Sequence, residues 1–125
     1  MRRITVDDLR AALWTARCLV RYRMQQPRRR VEDIAFPAAG RIGASGSRAV
    51  ARILRRRDER CLSNAMIAQA WRADHGDYVD VVIGVSSPTT GFSAHAWLAD
   101  TGDAGAGGHA AISRIAPRQV RERVS

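Results

Sequence analysis

The 125-residue sequence contains no lysine, only two cysteines and no long apolar run. A helix that spans a bilayer needs about 20 predominantly apolar residues, so we expect no membrane-spanning segment. Cys18 and Cys61 are too few for a disulfide framework, and we expect two free thiols. Arginines interrupt the N-terminal stretch, which therefore lacks the pattern of a signal peptide. The expectation is a cytoplasmic protein without a membrane partner.

All positive side chains are arginine, and they are unevenly distributed. The first 60 residues carry a net charge of +10, residues 61–113 carry −4, and the last twelve carry +3. This asymmetry indicates two surfaces with different partners, although a solvated basic face fits it equally well. The clusters at 28–30 and 55–57 lack interleaved aromatic residues and a recognition motif. Nucleic acid is therefore not the expected partner.

The first predicted helix runs from Val6 to Met24, with Thr5 or Asp7 as its N-cap. Its apolar positions recur at helical spacing and indicate an amphipathic helix. They are Leu9, Leu13, Ala16, Val20 and Met24. Pro27 ends the helix, and a glycine-containing loop follows.

Residues 47–74 have helical composition, and the pattern leaves open whether they form one rod or two helices. Ser47 is the predicted N-cap of the first part. A new cap at Asp58 would begin a second helix with Cys61 at its third position. Gly76 then takes the left-handed conformation that commonly follows the end of a helix.

The remaining chain is rich in strand signals. Residues 78–85 and 92–100 are predicted as strands of an antiparallel hairpin, and residues 109–116 as a third short strand. The fold class is therefore α+β, with N-terminal helices followed by a small antiparallel sheet. We predict one domain over 1–125, made of a helical and loop part (1–46), a core (47–116) and a charged tail (117–125).

Cys61 and His95 are the candidate nucleophile and base. A helix N-terminus lowers the pKa of a thiol because its free N–H groups favour negative charge, and a histidine docked there can accept the proton. His95 shares a strand face with Trp97, because alternate residues point to the same side. On spacing alone, either residue is more often structural: a lone helical cysteine commonly acts as a small buried hydrophobe.

A metal site is the other chemical interpretation of these side chains. Cys61, His75, His95 and His109 include suitable ligand types, but the sequence has no C-x₂-C or H-x₃-H spacing. We therefore predict no metal and no cofactor.

The ordered set of motifs between residues 61 and 102 resembles the core of the lasso peptide leader peptidases, which are transglutaminase-like cysteine proteases. The matching pieces are Cys61-Leu62, Gly76, Val82-Ile83-Gly84-Val85, His95-Ala96-Trp97 and Gly102. The resemblance implies a papain- or transglutaminase-like fold, with Cys61 as nucleophile and His95 as base. Leu62 and Trp97 are expected to line the substrate cleft.

The third catalytic member of that family is an acidic residue about a dozen positions after the histidine. In this sequence that region is small and uncharged, and the nearest carboxylates are Asp100 and Asp103. Asp103 is the better placed of the two because it follows the turn at Gly102. A backbone carbonyl is the alternative group that would orient the imidazole.

The resemblance implies that the protein removes the leader from a ribosomally made lasso peptide precursor. Its partners would be the precursor's leader, a separate leader-recognition protein and a cyclase similar to asparagine synthetase. The alternative is a non-catalytic module of the same fold that binds a peptide, a protein or nucleic acid through its basic face. The catalytic hypothesis further predicts that the Cys61 sulfur and a His95 ring nitrogen lie within hydrogen-bond reach.

Overall fold

The computed structural model describes residues 3–30, 33–56, 61–85, 94–101 and 109–118, without the side chain of Cys61. Three helices precede three strands in the chain. They are α1 (Val6–Gln25), α2 (Ser47–Arg55), α3 (Cys61–Asp74), β1 (Val81–Val85), β2 (Ala94–Leu98) and β3 (Ala110–Ile115). This order confirms the α+β class. Within these ranges, no helix is long and apolar enough to cross a membrane.

The three strands form one antiparallel sheet in the order β2-β1-β3. The hairpin of β1 and β2 is confirmed, with Val81 opposite Leu98 and Gly84 opposite His95. The third strand is also confirmed, but it pairs with β1 rather than with its sequence neighbour β2. β1 is therefore central, and β2 lies at one edge of the described sheet.

α3 lies between the other helices and the sheet. Its Ile67 and Trp71 belong to one buried cluster. The partners in that cluster are Ala11, Trp14, Cys18, Ala39, Val50 and Leu54. Ala65 and Met66, on another side of α3, belong to a second cluster with Val81, Ala96 and Ile115. One helix thus contributes to both halves of the core.

Polar side chains hold α3 at specific positions against its neighbours. The Nε2 of Gln69 donates to the carbonyl oxygens of Val79 and Ile115, at 2.8 Å each. Near the start of α3, the Nδ2 of Asn64 donates to the carbonyl oxygen of Leu54 at 2.8 Å. These bonds fix both the rotation and the axial position of the helix.

The first helix is confirmed, but the predicted apolar stripe is not its buried face. Leu9, Leu13, Val20 and Met24 have exposed fractions between 57 and 67%, and Ala16 is also exposed. The buried side chains are instead Asp8, Ala11, Trp14, Thr15 and Cys18. Two requirements, one for close packing and one for a hydrogen bond, explain which face of α1 is buried.

Close packing selects small residues on the buried face of α1. A methyl group added at Gly46 would lie 2.7 Å from the Cβ of Ala11, so the chain entering α2 leaves no room for a larger side chain there. A polar contact selects Trp14, whose Nε1 donates to the carbonyl oxygen of Pro37 at 2.7 Å. Neither requirement is visible in the periodicity of α1 alone.

Three of the predicted helix ends can be compared with the structure. Thr5 is confirmed as the N-cap of α1, and Asp8 completes a capping box. Ser47 is not the cap of α2: it is the first helical residue, and its hydroxyl donates to the carbonyl oxygen of Ala44. Gly76 has a φ of +83°, which confirms the left-handed position after α3.

The helical segment predicted over 47–74 is two helices, because α2 ends at Arg55 and α3 is a separate element. The predicted cap at Asp58 lies outside the described residues. The first strand begins at Val81, three residues later than predicted. The second ends at Leu98, because residues 99–101 form a 3₁₀ turn. The domain limits stay a prediction.

Replacement of Gln69 by methionine should weaken the contact between α3 and the sheet. The substitution keeps an unbranched side chain but removes both donated hydrogen bonds from a residue that is 3% exposed. We expect the free energy of unfolding to fall by about 1–3 kcal/mol in urea denaturation. Gln26→Met, at an exposed position, should change it by less than about 0.5 kcal/mol. Equal effects of the two substitutions would refute the anchoring role of Gln69.

Candidate functional site

An ion pair joins the last turn of α3 to the turn that follows β2. The Nη2 of Arg72 lies 2.7 Å from the Oδ2 of Asp100. Eleven helical residues lead back from Arg72 to Cys61, about 16 Å. Five residues lead back from Asp100 to His95, about 14 Å of strand and 3₁₀ turn. Because the helix and the strand are joined near one end and similar in length, we expect the first turn of α3 near the His95 end of β2.

The side chains of β2 divide between the two faces of the sheet. Ala96 and Leu98 pack in the cluster that includes α3. His95 and Trp97 therefore project from the opposite face. Their rings are stacked, with centroids 5.7 Å apart and an angle of 21° between the planes. This face of the edge strand is the setting of the candidate base.

Gly84 of β1 makes room for this pair of rings. It lies directly opposite His95 in the sheet. A methyl group on Gly84 would lie 2.6 Å from the Cη2 of Trp97 and 2.8 Å from the carbonyl oxygen of Ala110. Trp97 therefore covers the glycine and is itself only 9% exposed. The glycine in the V-I-G-V motif thus has a packing role.

His109 is a neighbour of His95 that the sequence analysis considered only as a possible metal ligand. The centroids of the two imidazoles are 5.2 Å apart, with an angle of 37° between the planes. His109 immediately precedes β3, whose Ala110 pairs with Val85 of the central strand. It is also fourteen positions after His95, close to the place where the resemblance expects an orienting acid. The spacing of His109 from His95 is therefore the signal in the sequence that points to this contact.

Asp100 is engaged in a different interaction. Its carboxylate accepts from Arg72, and this pairing lowers the pKa of the Asp100 carboxyl and raises that of the Arg72 guanidinium. Arg72 also contacts Asp77, which follows the end of α3. A role of Asp100 in orienting His95 stays a prediction, but the pair gives this carboxylate a structural role. Asp103 lies outside the described residues.

The other predicted residues are placed as follows. Leu62 is half-buried and packs against the cluster between α3 and the sheet. The side chain of Cys61 is not described, so the predicted contact between its sulfur and His95 stays a prediction. Cys18 is confirmed as a free, buried thiol, and burial raises its pKa well above the usual range.

A cavity of about 430 Å³ opens between α2 and α3 near Arg72. Its described lining includes Trp71, His75 and Leu98, and none of the predicted catalytic side chains. Within the described residues, no group of three or more His, Cys, Asp or Glu side chains is arranged to hold a metal ion.

The comparison with protein families identifies the class of the chain. The model of the Transglutaminase-like superfamily matches residues 3–119. The chain therefore belongs to the transglutaminase-like superfamily, which includes cysteine peptidases. This membership agrees with the three helices and the small antiparallel sheet. Neither the curated proteins nor the solved structures provide a match.

The Arg72–Asp100 pair generates a prediction about the pH dependence of stability. In the folded protein the pKa of Asp100 is depressed, so its stabilisation is present above the unfolded pKa and is lost as the pH falls through the folded pKa. Asp100→Asn should lower the free energy of unfolding by less than about 1 kcal/mol at neutral pH, because the pair is partly exposed. The difference from the native chain should vanish in acid.

Urea denaturation at a series of pH values measures this difference. Asp33→Asn is the matched control, because no ion pair of Asp33 occurs among the described residues. It should leave stability unchanged throughout. A deficit of Asp100→Asn that persisted undiminished at low pH would contradict the electrostatic origin of the effect.

Proposed function

We propose that this chain is a cysteine peptidase that removes the leader from a ribosomally made lasso peptide precursor. The observation that carries the proposal is the Arg72–Asp100 pair, because it joins the end of α3 to the turn after β2 and so favours a position of the start of α3, with Cys61, toward His95. Membership of the superfamily adds support, as does the ordered set of motifs from Cys61-Leu62 to Gly102.

The proposed site uses the start of a helix to activate a thiol. The first turn of a helix has N–H groups without partners in the helix, and these favour a thiolate. The same groups are suited to stabilise the oxyanion that forms on the attacked carbonyl. β2 lies at the edge of the described sheet, and His95 projects from the sheet face that points away from α3. The thiol and the imidazole would therefore meet around that edge.

His109 is the positioning residue in this proposal. A hydrogen bond from the imidazole of His109 to one ring nitrogen of His95 would fix the tautomer of His95. Its proximity to His95, at 5.2 Å between centroids, supports this role. The pairing of Asp100 with Arg72 makes Asp100 the weaker candidate, and Asp103 remains a second one.

The reaction would proceed through an acyl-enzyme. His95 takes the proton of Cys61, and the sulfur attacks the carbonyl carbon at the junction of leader and core. The C–N bond breaks, and the amine of the core peptide leaves with the proton from His95. Water then adds to the thioester, with His95 as base, and the leader departs with a free carboxylate. The core peptide now has the amine that a separate cyclase would use.

The proposed partners follow from the same interpretation. A separate recognition protein would deliver the leader, and a cyclase similar to asparagine synthetase would close the ring. The basic first half of the chain, with a net charge of +10 over 60 residues, is the candidate docking region. The alternative function is a non-catalytic binding module, which the family's fold and the same basic surface would also support.

Thiol reactivity tests the activation of Cys61 directly. In native protein treated with iodoacetamide, Cys61 should be alkylated faster than free cysteine at mildly acidic pH, because its thiolate persists to lower pH. Cys18 is the internal control: it is buried with a raised pKa and should react only after denaturation. Mass spectrometry of peptides resolves the two sites. A Cys61 rate that followed the titration of an ordinary thiol would contradict the proposal.

Cleavage of the precursor tests the function itself. The protein is mixed with the precursor and the recognition protein encoded beside it, and the precursor mass is followed over time. Cys61→Ala and His95→Ala should abolish loss of the leader, whereas folded Cys18→Ala should retain it. His109→Ala should slow cleavage by up to about 10⁴-fold, as loss of an orienting group does, and His109→Asp should restore part of the rate.

Two outcomes of this assay count against the proposal. Loss of the leader that survives Cys61→Ala would refute the mechanism. No loss with the native protein would favour the non-catalytic module.

A further inference from the structure

The solvent-exposed side of α1 carries a continuous apolar seam. Its members alternate at spacings of three and four residues. They are Val6, Leu9, Leu13, Ala16 and Val20, and all are exposed. This alternation is the a/d pattern by which one helix packs against another in a coiled coil. The core uses a different side of α1, so the seam is available to a second helix.

Two arginines flank this seam, and a third occupies the seam position that follows Val20. With Val6 and Leu13 at a positions, Arg10 and Arg17 occupy successive e positions, and Arg23 takes the next d position. All three are exposed. No ion pair involves them within the described part of the chain. The other flank, at Ala12 and Leu19, is uncharged.

The acidic residues of α1 do not offset this charge, because they are used within the fold. The carboxylate of Asp7 accepts from the backbone N–H of Gly43 and the hydroxyl of Ser45. Asp8 closes the capping box with Thr5. The edge of the seam is therefore positive along two full heptads.

We propose that this seam of α1 binds an amphipathic helix of a partner polypeptide with an aliphatic seam and acidic flanks. Leucine or valine on the partner would cover the exposed aliphatic side chains, and glutamate or aspartate would pair with Arg10, Arg17 and Arg23. α1 is 20 residues long, about 30 Å, and so matches a partner helix of about three heptads.

A second copy of the chain fits the seam less well. In an antiparallel pair, e positions face each other, which would bring Arg10 and Arg17 against the same arginines of the other copy. In a parallel pair, the two Arg23 side chains would meet in the seam. Both arrangements oppose like charges, whereas an acidic partner neutralises them.

The inference stands on this surface and not on the proposed peptidase chemistry, so we test it with the full chain carrying Cys61→Ala. The probe is a fluorescent synthetic peptide of three heptads, with leucine at a and d and glutamate at e and g. Its glutamates repel one another and keep it from pairing with itself. A peptide with lysine at e and g is the matched control. Binding is followed by fluorescence anisotropy.

We expect saturable binding of the glutamate peptide that weakens with added salt, and affinity for the lysine peptide lower by about tenfold or more. Leu9→Ser combined with Leu13→Ser should weaken binding by about tenfold or more. Ile112→Ser is the matched control, because Ile112 on β3 is as exposed as Leu13, at 65% against 64%. It should leave the affinity unchanged. Arg10→Glu combined with Arg17→Glu should reverse the preference between the peptides.

Three results would overturn the inference. The first is an unchanged affinity after the two leucine substitutions. The second is equal binding of the glutamate and lysine peptides. The third is a dimer in light scattering that the leucine substitutions convert to monomer, since this would assign the seam to a second copy. Loss of leader cleavage would bear on none of these measurements, so failure of the peptidase proposal remains distinguishable.

Discussion

The structure depends on the burial of α3 between the other helices and the sheet. Ile67 and Trp71 pack on the helical side, while Ala65 and Met66 pack on the sheet side. Apolar contacts on both sides hold the helix in the core, and the two bonds of Gln69 set its position along the sheet. The start of α3 is therefore positioned by the core itself. A chemical group placed there is held by a rigid element, as precise catalysis requires.

On the sheet face that points away from α3, the packing depends on Gly84, which has no side chain. The rings of His95, Trp97 and His109 gather where β1 presents only backbone. Among the described residues, His95 therefore has an imidazole, that of His109, as its neighbour on this face. The Asp100 carboxylate, by contrast, joins β2 to the far end of α3 through Arg72.

Local sequence signals predicted the elements well and their contacts poorly. Helical periodicity, Gly76 and the β-branched run of β1 identified the order of helices and strands, because each depends on nearby residues. The buried face of α1 was mispredicted, because Ala11 is selected by the close approach of Gly46 from 35 positions away. The contact of His109 with His95 was not predicted for a similar reason: His109 reaches His95 only because β3 pairs with the central strand β1. Such long-range pairings leave no local pattern.

In the proposed function, Cys61 and His95 form one site at the start of α3. The most direct test is the distance between the Cys61 sulfur and the nearer ring nitrogen of His95 in an experimentally determined structure. We expect about 3–4 Å, within or just beyond hydrogen-bond reach in a substrate-free site. A distance beyond about 8 Å in a well-ordered site, far outside that reach, would contradict it.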